Sequence, residues 1–256
     1  MIPSIYAHRL GGAYGPDSSR AALTRTLERR VDGLETDCCL TADGDIVLLH
    51  DPLLALDTDL SGWAHQRQAT EIAAGRLRDG TGRLTPERPL RLAELLELVP
   101  EDVVLQLEIK AHADPALACE TTRAICRQLA RQQTPHRVEI ISFFTSACEL
   151  AAELGFASRA IIMADYGIEE LAEWALRGGV RGVCVEHFLL SPSLVDTLQA
   201  AGLSVTTGTI NHPELLPVLL GLGLDAITTD APHELLDALG AMSRGAPARA
   251  DAARSV

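Results

Sequence analysis

The feature of this sequence that most restricts its fold is a regular alternation of short apolar runs and amphipathic stretches. From residue 100 onward six runs are predicted as strands: VVLQLEI (103–109), VEIISF (138–143), RAIIM (159–163), GVCVEH (182–187), LSVTTGT (203–209) and LDAITT (224–229). The stretches between them have helical periodicity, and several begin at Ser, Thr, Asp or Pro and end at Gly. Repeated units of strand then helix predict right-handed βαβ crossovers and a parallel sheet.

Two further strands are predicted near the N-terminus, SIYAH (4–8) and GLETD (33–37), on either side of a helical stretch. Eight βα units in about 250 residues are typical of a TIM barrel. We therefore predict an α/β protein, a TIM (β/α)8 barrel over residues 1–240, with a doubly wound open sheet as the alternative. Hydrophobic residues make up 47% of the chain and aromatic residues only 4%, which favours an aliphatic, layered core.

Two segments interrupt the alternation. Residues 51 to about 90 are rich in Gly, Pro and charged residues and are too long for a plain βα loop, so they predict a small inserted subdomain. Residues 241–256 lack apolar periodicity and are predicted to form a flexible tail.

Charge and composition exclude several classes of partner. The formal net charge is -13 and no run of Lys and Arg is present, which argues against a nucleic-acid surface. No signal-like segment and no apolar run of membrane-spanning length occur, so we expect a cytoplasmic protein without a membrane anchor. The six cysteines form no CxxC pattern and are expected to be reduced and mostly buried. The sequence leaves the oligomeric state open.

Ionisable side chains end three neighbouring strands: His8 and Arg9, then Glu35 and Asp37, then Glu108 and Lys110. In a TIM barrel the reacting groups lie at the carboxyl ends of the strands, so these side chains are predicted to share one site. Three carboxylates without thiolate partners suit a hard cation, Mg²⁺ or Ca²⁺. Without a cation their mutual repulsion would shift their pKa values strongly.

A hairpin predicted after the second strand would bring His50 to the same place. Its turn is placed at Asp43-Gly44, and a loop of two or four residues puts Asp37 opposite His50. A loop of three residues would instead send His50 to the other face. We predict the pairing of Asp37 with His50.

A cation, two imidazoles and two cationic side chains are typical of a site for phosphoryl transfer. His8 and His50 are available for proton transfer near neutral pH. Arg9 and Lys110 add positive charge beside a developing phosphate anion. One imidazole would attack or remove a proton while the other protonates the leaving group.

Three segments resemble motifs of the glycerophosphodiester phosphodiesterase family: AHRLGG, LETDCCLTADGDIVLLHDP and LQLEIK. ISFF and TINHPELLPVLLGLGLDAITTDAP are also similar to family segments, and the order and spacing agree over nearly the whole chain. The resemblance implies a TIM barrel with a small insertion that hydrolyses glycerophosphodiesters to an alcohol and glycerol 3-phosphate with a divalent cation.

The resemblance also implies residue roles. Glu35, Asp37 and Glu108 would be metal ligands, His8 and His50 the catalytic pair, and Arg9 and Lys110 phosphate contacts. We favour His8 as base or nucleophile and His50 as acid, although the sequence leaves this assignment open.

Three departures from the family pattern bear on specificity. PDSS (16–19) stands where the family has Pro-Glu-Asn-Thr, and Asp17 or Ser18 is predicted to cap the following helix. Leu10 is inserted or substituted between Arg9 and the glycines. GTIN (208–211) stands where the family commonly has Trp-Thr-Val-Asn, and the lost Trp predicts a wider or reshaped pocket near the alcohol or the glycerol.

Two other functions remain open at this point. One is a lysophospholipase D-like or cyclising phosphodiesterase that acts on lipid-sized substrates. The other is a diverged barrel that binds phosphodiesters without turnover, which would be expected to have lost one of the histidines or carboxylates.

Overall fold

The structure is a computed structural model that describes residues 2–132 and 137–245. These residues contain nine strands, in chain order: β1 (Ser4–Ala7), β2 (Gly33–Leu40), β3 (Ile46–Leu48), β4 (Val104–Ile109), β5 (Val138–Ser142), β6 (Ala157–Ile162), β7 (Gly182–Val185), β8 (Ser204–Thr207) and β9 (Ala226–Thr229). All except β3 are parallel to their neighbours, and β1 pairs with both β2 and β9. The sheet is therefore a closed barrel of eight strands, which confirms the TIM barrel and excludes the open sheet.

Helices surround this barrel. They are α1 (Arg20–Thr26), α2 (Leu54–Asp57), α3 (Ala69–Ala73), α4 (Leu92–Leu98), α5 (Pro115–Gln132), α6 (Thr145–Glu153), α7 (Ile168–Arg177), α8 (Pro192–Ala200), α9 (Leu216–Leu222) and α10 (Pro232–Gly245). Residues 241–245, which the sequence analysis assigns to the tail, are the last residues of α10, and residues 246–256 lie outside the described part of the chain.

Alternate residues of each strand face the helices or the barrel interior. Near the amino ends of the strands, Tyr6 packs with Val104 and Ala226, and a Cβ atom at Gly33 would lie only 2.6 Å from the Tyr6 ring. Glycine is needed at position 33 because the ring fills that space.

A polar layer lies above this apolar one. Gln106 Nε2 donates to Glu139 at 2.8 Å, and the Arg159 guanidinium donates to Glu139 and to the Val183 and Ser204 carbonyls at 3.2 to 3.3 Å. The barrel interior is thus filled by hydrogen-bonded side chains below the carboxyl ends of the strands.

The hairpin of β2 and β3 differs from its prediction. Cys38 pairs with Leu48 and Leu40 with Ile46, and Thr41 N donates to Asp45 O, so the loop contains three residues, 42–44. Gly44 has φ +78°, which is typical of the left-handed last residue of such a loop. The predicted pairing of Asp37 with His50 is therefore wrong, because this register carries Leu49, not His50, to the position opposite Asp37.

The insertion folds onto this hairpin. Leu54, Ala64, Ala69, Ile72 and Leu77 form a small apolar cluster with side chains of the hairpin: Cys39, Val47 and Leu49. The insertion, which carries α2 and α3, therefore has its own core, which is continuous with the strands that lead out of the barrel.

Within residues 2–132 and 137–245, no helix combines the length and the apolar composition needed to cross a membrane. All six cysteines are free thiols, and four of them are buried.

Candidate active site

Three buried carboxylates meet at the carboxyl ends of β2 and β4. Glu35 and Asp37 are two residues apart on β2 and face the barrel interior, and the parallel register places Glu108 directly beside Asp37. One carboxylate oxygen from each of these side chains lies within 4.8 Å of one carboxylate oxygen from each of the other two. The sequence prediction that these three acids lie together agrees with this geometry.

The three carboxylates of this cluster repel one another when they are ionised, and their burial adds to the cost of ionisation. Burial together with the charge of Asp37 raises the pKa of Glu35 to about 8, and the same two causes raise the pKa of Glu108. Burial also disfavours ionised Asp37, but the positive charges of Lys110 and Arg9 outweigh it and hold the pKa of Asp37 below its ordinary value. The protein alone thus stabilises only one of the three negative charges.

The oxygens of these acids fit a cation. Glu35 Oε1 is buried and has no hydrogen-bond partner, which is costly unless another partner is bound, and the two buried oxygens of Asp37 have ion pairs but no hydrogen bond of good geometry. A set of three oxygen ligands is also the chemistry that Mg²⁺ and Ca²⁺ prefer. The described residues therefore contain an acidic cluster that can hold a divalent metal ion.

Lys110 and Arg9 lie on the sides of this cluster. Lys110 Nζ forms ion pairs with Asp37 at 3.0 Å and with Glu108, and Arg9 Nε lies 3.6 Å from Asp37. The Arg9 backbone N–H also donates to Glu35 at 2.9 Å. Both cationic side chains named from the sequence therefore contact the carboxylates directly.

His8 directly follows β1 and has a partner that the sequence reasoning missed. Its Nδ1 lies 2.7 Å from Asp230 Oδ1, and its Nε2 lies 3.8 Å from Glu35. A carboxylate only accepts hydrogen bonds, so Nδ1 is the donor. Burial opposes protonation of His8, but Glu35 and Asp230 outweigh it and raise the pKa of the imidazole to about 9.

Asp230 is itself fixed in place. Asn211 Nδ2 donates to its second oxygen at 2.5 Å, and the Asp230 N–H donates back to Asn211 Oδ1 at 2.9 Å. Asp230 directly follows β9, which is the same strand-end position that singled out the other site residues. This position was the available signal, but an acid after a strand looks the same in sequence when it is only solvated.

His50 reaches the site without the predicted strand pairing. β3 ends at Leu48, and the chain then turns so that His50 borders the same cavity as His8. His50 Nδ1 lies 3.0 Å from Asp51 Oδ2, and the Asp51 N–H donates to Asp57 of α2 at 2.8 Å. The first helix of the insertion therefore helps to hold this histidine.

These side chains surround a cavity of about 220 Å³ at the carboxyl ends of the strands. His8, Arg9, Glu35, His50, Glu108 and Lys110 line it on one side. Ile141, Phe143, Ile161, Cys184, Glu186 and Thr209 line the other. The polar, ionisable half and the mainly apolar half are typical of a pocket that binds a small molecule with one charged group.

The sequence profile of the glycerophosphoryl diester phosphodiesterase family matches residues 8–234 of this chain. The chain belongs to this family. That result confirms the resemblance found in the sequence, and with it the prediction of an enzyme of the phosphodiesterase class.

Relatives within the glycerophosphoryl diester phosphodiesterase family match nearly full length. A glycerophosphodiester phosphodiesterase of Caldanaerobacter subterraneus subsp. tengcongensis is 26% identical over 93% of this chain and 98% of its own. A phosphodiesterase of Oleispira antarctica, solved with the product sn-glycerol-3-phosphate, is 25% identical with a TM-score of 0.81 over 93% of this chain and 97% of that one. A glycerophosphodiester phosphodiesterase of Thermotoga maritima shares the fold, with a TM-score of 0.75 at 20% identity over 93% of this chain and 98% of that one.

The departures from the family pattern have structural explanations in part. Asp17 accepts a hydrogen bond from Arg9 Nη1 at 2.5 Å, and Ser18 accepts one from Thr36 at 2.8 Å. Neither residue caps α1, because Ser19 accepts from the Ala22 N–H and is the N-cap. The prediction that Asp17 or Ser18 caps this helix is therefore wrong.

Leu10 occupies a conformation that favours glycine. Its φ is +61°, its side chain is fully buried in the barrel core, and its carbonyl accepts a hydrogen bond from Thr26 Oγ1 at 2.8 Å.

Where the family has Trp, Gly208 borders the cavity, and the following Thr209 hydroxyl lies 3.4 Å from His8 Nδ1.

Proposed function

We propose that this chain hydrolyses glycerophosphodiesters to an alcohol and glycerol 3-phosphate with a divalent cation, Mg²⁺ or Ca²⁺. The observation that carries the proposal is the shared cavity, in which two carboxylate-held histidines stand beside three buried acids and two cationic side chains. Membership of the family and the related phosphodiesterase with bound sn-glycerol-3-phosphate support the choice of substrate.

Glu35, Asp37 and Glu108 would hold the cation. A divalent cation bound there supplies positive charge to the non-bridging phosphate oxygens, on which negative charge grows in the transition state. Lys110 and Arg9 are proposed to contact the same oxygens, because both already lie against the carboxylates that would be neutralised.

The two histidines are proposed to move the protons. The hydrogen bond at Nδ1 leaves Nε2 of His8 as the reactive nitrogen. A cation held by Glu35 would offset one of the negative charges that raise the pKa of His8, so that deprotonated Nε2 would then attack phosphorus or remove a proton from water. His50, held at Nδ1 by Asp51, is free at Nε2 to protonate the oxygen of the departing alcohol. Water thus adds across the bond between phosphorus and the alcohol oxygen.

Activity of His8→Ala and His50→Ala on glycerophosphocholine, with titration of Mg²⁺ and Ca²⁺, tests the proposal. Each variant is expected to lose activity by about 10²-fold or more, the usual contribution of a general acid or base. Wild-type rates in both variants would contradict the site.

A second substrate separates the two roles. Glycerophospho-p-nitrophenol has a leaving group that needs no proton, so removal of the acid should matter little while removal of the base or nucleophile still matters. We expect His50→Ala to be rescued by this substrate and His8→Ala not to be. The reverse pattern would exchange the two roles.

A further inference from the structure

A contact between two rings joins the insertion to the loop that follows β4. The Trp63 indole lies against the His112 imidazole, with 4.7 Å between the ring centroids and 45° between the ring planes. Trp63 lies in the insertion between α2 and α3 and is half-buried, whereas His112 lies in the β4–α5 loop and is exposed. Neither ring is among the side chains that line the cavity, so this contact can affect the reaction only through other residues.

The backbone that carries Trp63 is fixed on both sides of the indole. Residues 62–64 lie antiparallel to residues 52–54, and the two segments are joined by hydrogen bonds of 3.0 and 2.8 Å. Residues 52–54 directly follow His50 and Asp51, whose side chains lie 3.0 Å apart from Nδ1 to Oδ2. Because the indole is held in this way, the ring contact can restrain the β4–α5 loop.

The β4–α5 loop has an unfavourable backbone conformation. His112 and Ala113 are consecutive residues with φ of +40° and +60°, a region that is costly for residues with a Cβ atom. Both side chains are exposed, so burial in the core does not hold them in this conformation. The free energy of one aromatic ring pair is similar in size to the cost of one left-handed residue, so the contact with Trp63 can decide whether the loop keeps its shape.

The same loop begins at Lys110, one of the two cationic side chains of the site. The Lys110 N–H donates to Cys38 O of β2 at 3.1 Å, and its Nζ forms an ion pair with Asp37 at 3.0 Å. Only Ala111, which is buried, separates Lys110 from His112. A change in the conformation of the loop would therefore rotate the backbone that carries the lysine side chain and move Nζ relative to the carboxylates.

We infer that Trp63 is a positioning residue for Lys110: by stacking on His112, it holds the β4–α5 loop in the conformation that directs Nζ toward the phosphate of the substrate. The inference rests on the proposed function, because the contact of Lys110 with phosphate is part of that proposal. The insertion thus acts on the site at two places, since α2 helps to hold His50 and Trp63 holds the loop after Lys110.

Trp63→Ala and His112→Ala test the inference in steady-state kinetics on glycerophosphocholine. Each variant is expected to lower kcat/KM by about tenfold, because a misplacement of a binding group by about 1 Å can cost up to about 10²-fold. The double variant is expected to be no worse than either single variant, since both remove the same contact. Losses that multiply in the double variant would overturn the inference.

Two further substitutions separate ring stacking from the filling of space. Trp63→Phe can still stack on His112 and is expected to keep kcat/KM within about threefold of the wild type, whereas Trp63→Leu has no ring and should resemble the alanine variant. Trp174→Leu is the matched control, because it removes the other tryptophan of the chain, on α7, and should leave kcat/KM unchanged. Wild-type activity of Trp63→Leu would show that the indole only fills space, which contradicts the inference.

Glycerophospho-p-nitrophenol shows through which site residue Trp63 acts. Its departing group needs no proton, so a defect that arises at His50 is rescued with this substrate, whereas a defect at the phosphate persists. We expect the loss in Trp63→Ala to persist and the inhibition constant of sn-glycerol 3-phosphate to rise about threefold, because Lys110 contacts the phosphate of the product as well. Rescue of Trp63→Ala with an unchanged inhibition constant would assign the effect to His50 and overturn the inference.

Amide hydrogen exchange gives a readout that needs no turnover. The N–H groups of Lys110 and Asp114, on either side of the left-handed residues, donate to backbone carbonyls at 3.0 to 3.1 Å. We expect both amides to exchange about tenfold faster in Trp63→Ala than in the wild type and at the wild-type rate in Trp174→Leu. Equal exchange in all three proteins would overturn the inference.

The two proposals fail separately. If the wild type hydrolyses neither diester with any metal, the proposed function is wrong, and exchange of the two amides then decides whether Trp63 holds the loop. If the wild type hydrolyses glycerophosphocholine and Trp63→Ala does so at the same rate, the inference is wrong and the proposed function stands.

Discussion

The His8 imidazole depends on one carboxylate for its orientation. Asp230 holds Nδ1 at 2.7 Å, and Asn211 holds Asp230 through two hydrogen bonds. A hydrogen bond at one ring nitrogen determines which nitrogen remains free to react. At the scale of the residue, Asp230 is therefore a positioning residue that acts through His8.

Asp230→Asn is expected to lower kcat by about 10²-fold with little change in KM, because an amide can donate to Nδ1 and stabilise the wrong tautomer. The pH profile of kcat should also shift, since Asp230 contributes to the raised pKa of His8. Steady-state kinetics across pH measure both effects. Asn211→Ala is the control and should cost less, because it leaves the carboxylate in place.

At position 10, substitution by glycine is expected to destabilise the fold less than substitution by alanine, which is the reverse of the usual order. Leu10 is buried and has φ +61°, so Leu10→Ala loses buried contacts and keeps the unfavourable backbone, at a cost of about 2–5 kcal/mol. Leu10→Gly loses the same contacts but adopts a positive φ more readily, by about 1 kcal/mol. Urea unfolding should therefore find the Gly variant more stable than the Ala variant. The opposite order would show that strain at this position is negligible.

At the scale of the element, the three-residue hairpin loop sets the register of β3 against β2, and it therefore determines which side chains of the two strands lie opposite each other. Gly44 has φ +78°, and nothing lies within 4 Å of the position of a Cβ atom there. Gly44→Ala should therefore cost about 1 kcal/mol from the backbone alone.

Gly44→Asn should cost less than Gly44→Ala, because Asn tolerates the left-handed region. Thermal unfolding of the two variants measures the difference. Equal losses in both would indicate that the loop adopts another conformation in solution.

Prediction from the sequence succeeded for the strands of the barrel. Each of the eight predicted barrel strands is present, since apolar runs bounded by helical periods have few alternatives in a chain of this length. The hairpin register was wrong because Asp43-Gly44 suits a two-residue loop and the last residue of a three-residue loop equally well. His50 still reaches the cavity, because β3 ends before it and the following turn, not the pairing, directs its side chain.

Contacts between elements that are far apart along the chain could not be predicted from the sequence. The contact of Asp230 with His8 depends on which side chains of separate βα units come together. Periodicity identifies an apolar face such as that of Leu171 and Trp174, but it does not say whether a neighbouring helix covers that face.

At the scale of the whole molecule, burial of the acidic cluster lowers the free energy of unfolding at higher pH, and the same carboxylates are the ones that can hold a cation. Folded Glu35 keeps its proton up to about pH 8, whereas in the unfolded chain it releases the proton near its ordinary pKa of 4.5. Between these values the folded state holds more protons, so the free energy of unfolding falls as pH rises. His8, with its pKa raised to about 9, adds a decrease of the same sign above its ordinary value of 6.5.

Glu35→Gln should remove much of this decrease. With a chelator present, the wild type is expected to lose at least about 1 kcal/mol between about pH 5 and pH 8, while the variant changes less. Mg²⁺ at 100 times its Kd should stabilise the wild type by about 2.7 kcal/mol and the variant by less. Denaturant unfolding with and without the metal measures both, and equal slopes with pH would contradict the burial of an ionisable acid at this position.

The closure of the barrel by β1 and β9 also has a consequence for biosynthesis. His8 and Asp230 are 222 residues apart, and β1 gains its second neighbour only when β9 has been made. At a translation rate of 5–20 residues per second, His8 leaves the ribosome roughly 10–45 s before its partner exists. A nascent chain, or one that terminates before Asp230, thus carries the first motif without the carboxylate that orients its imidazole.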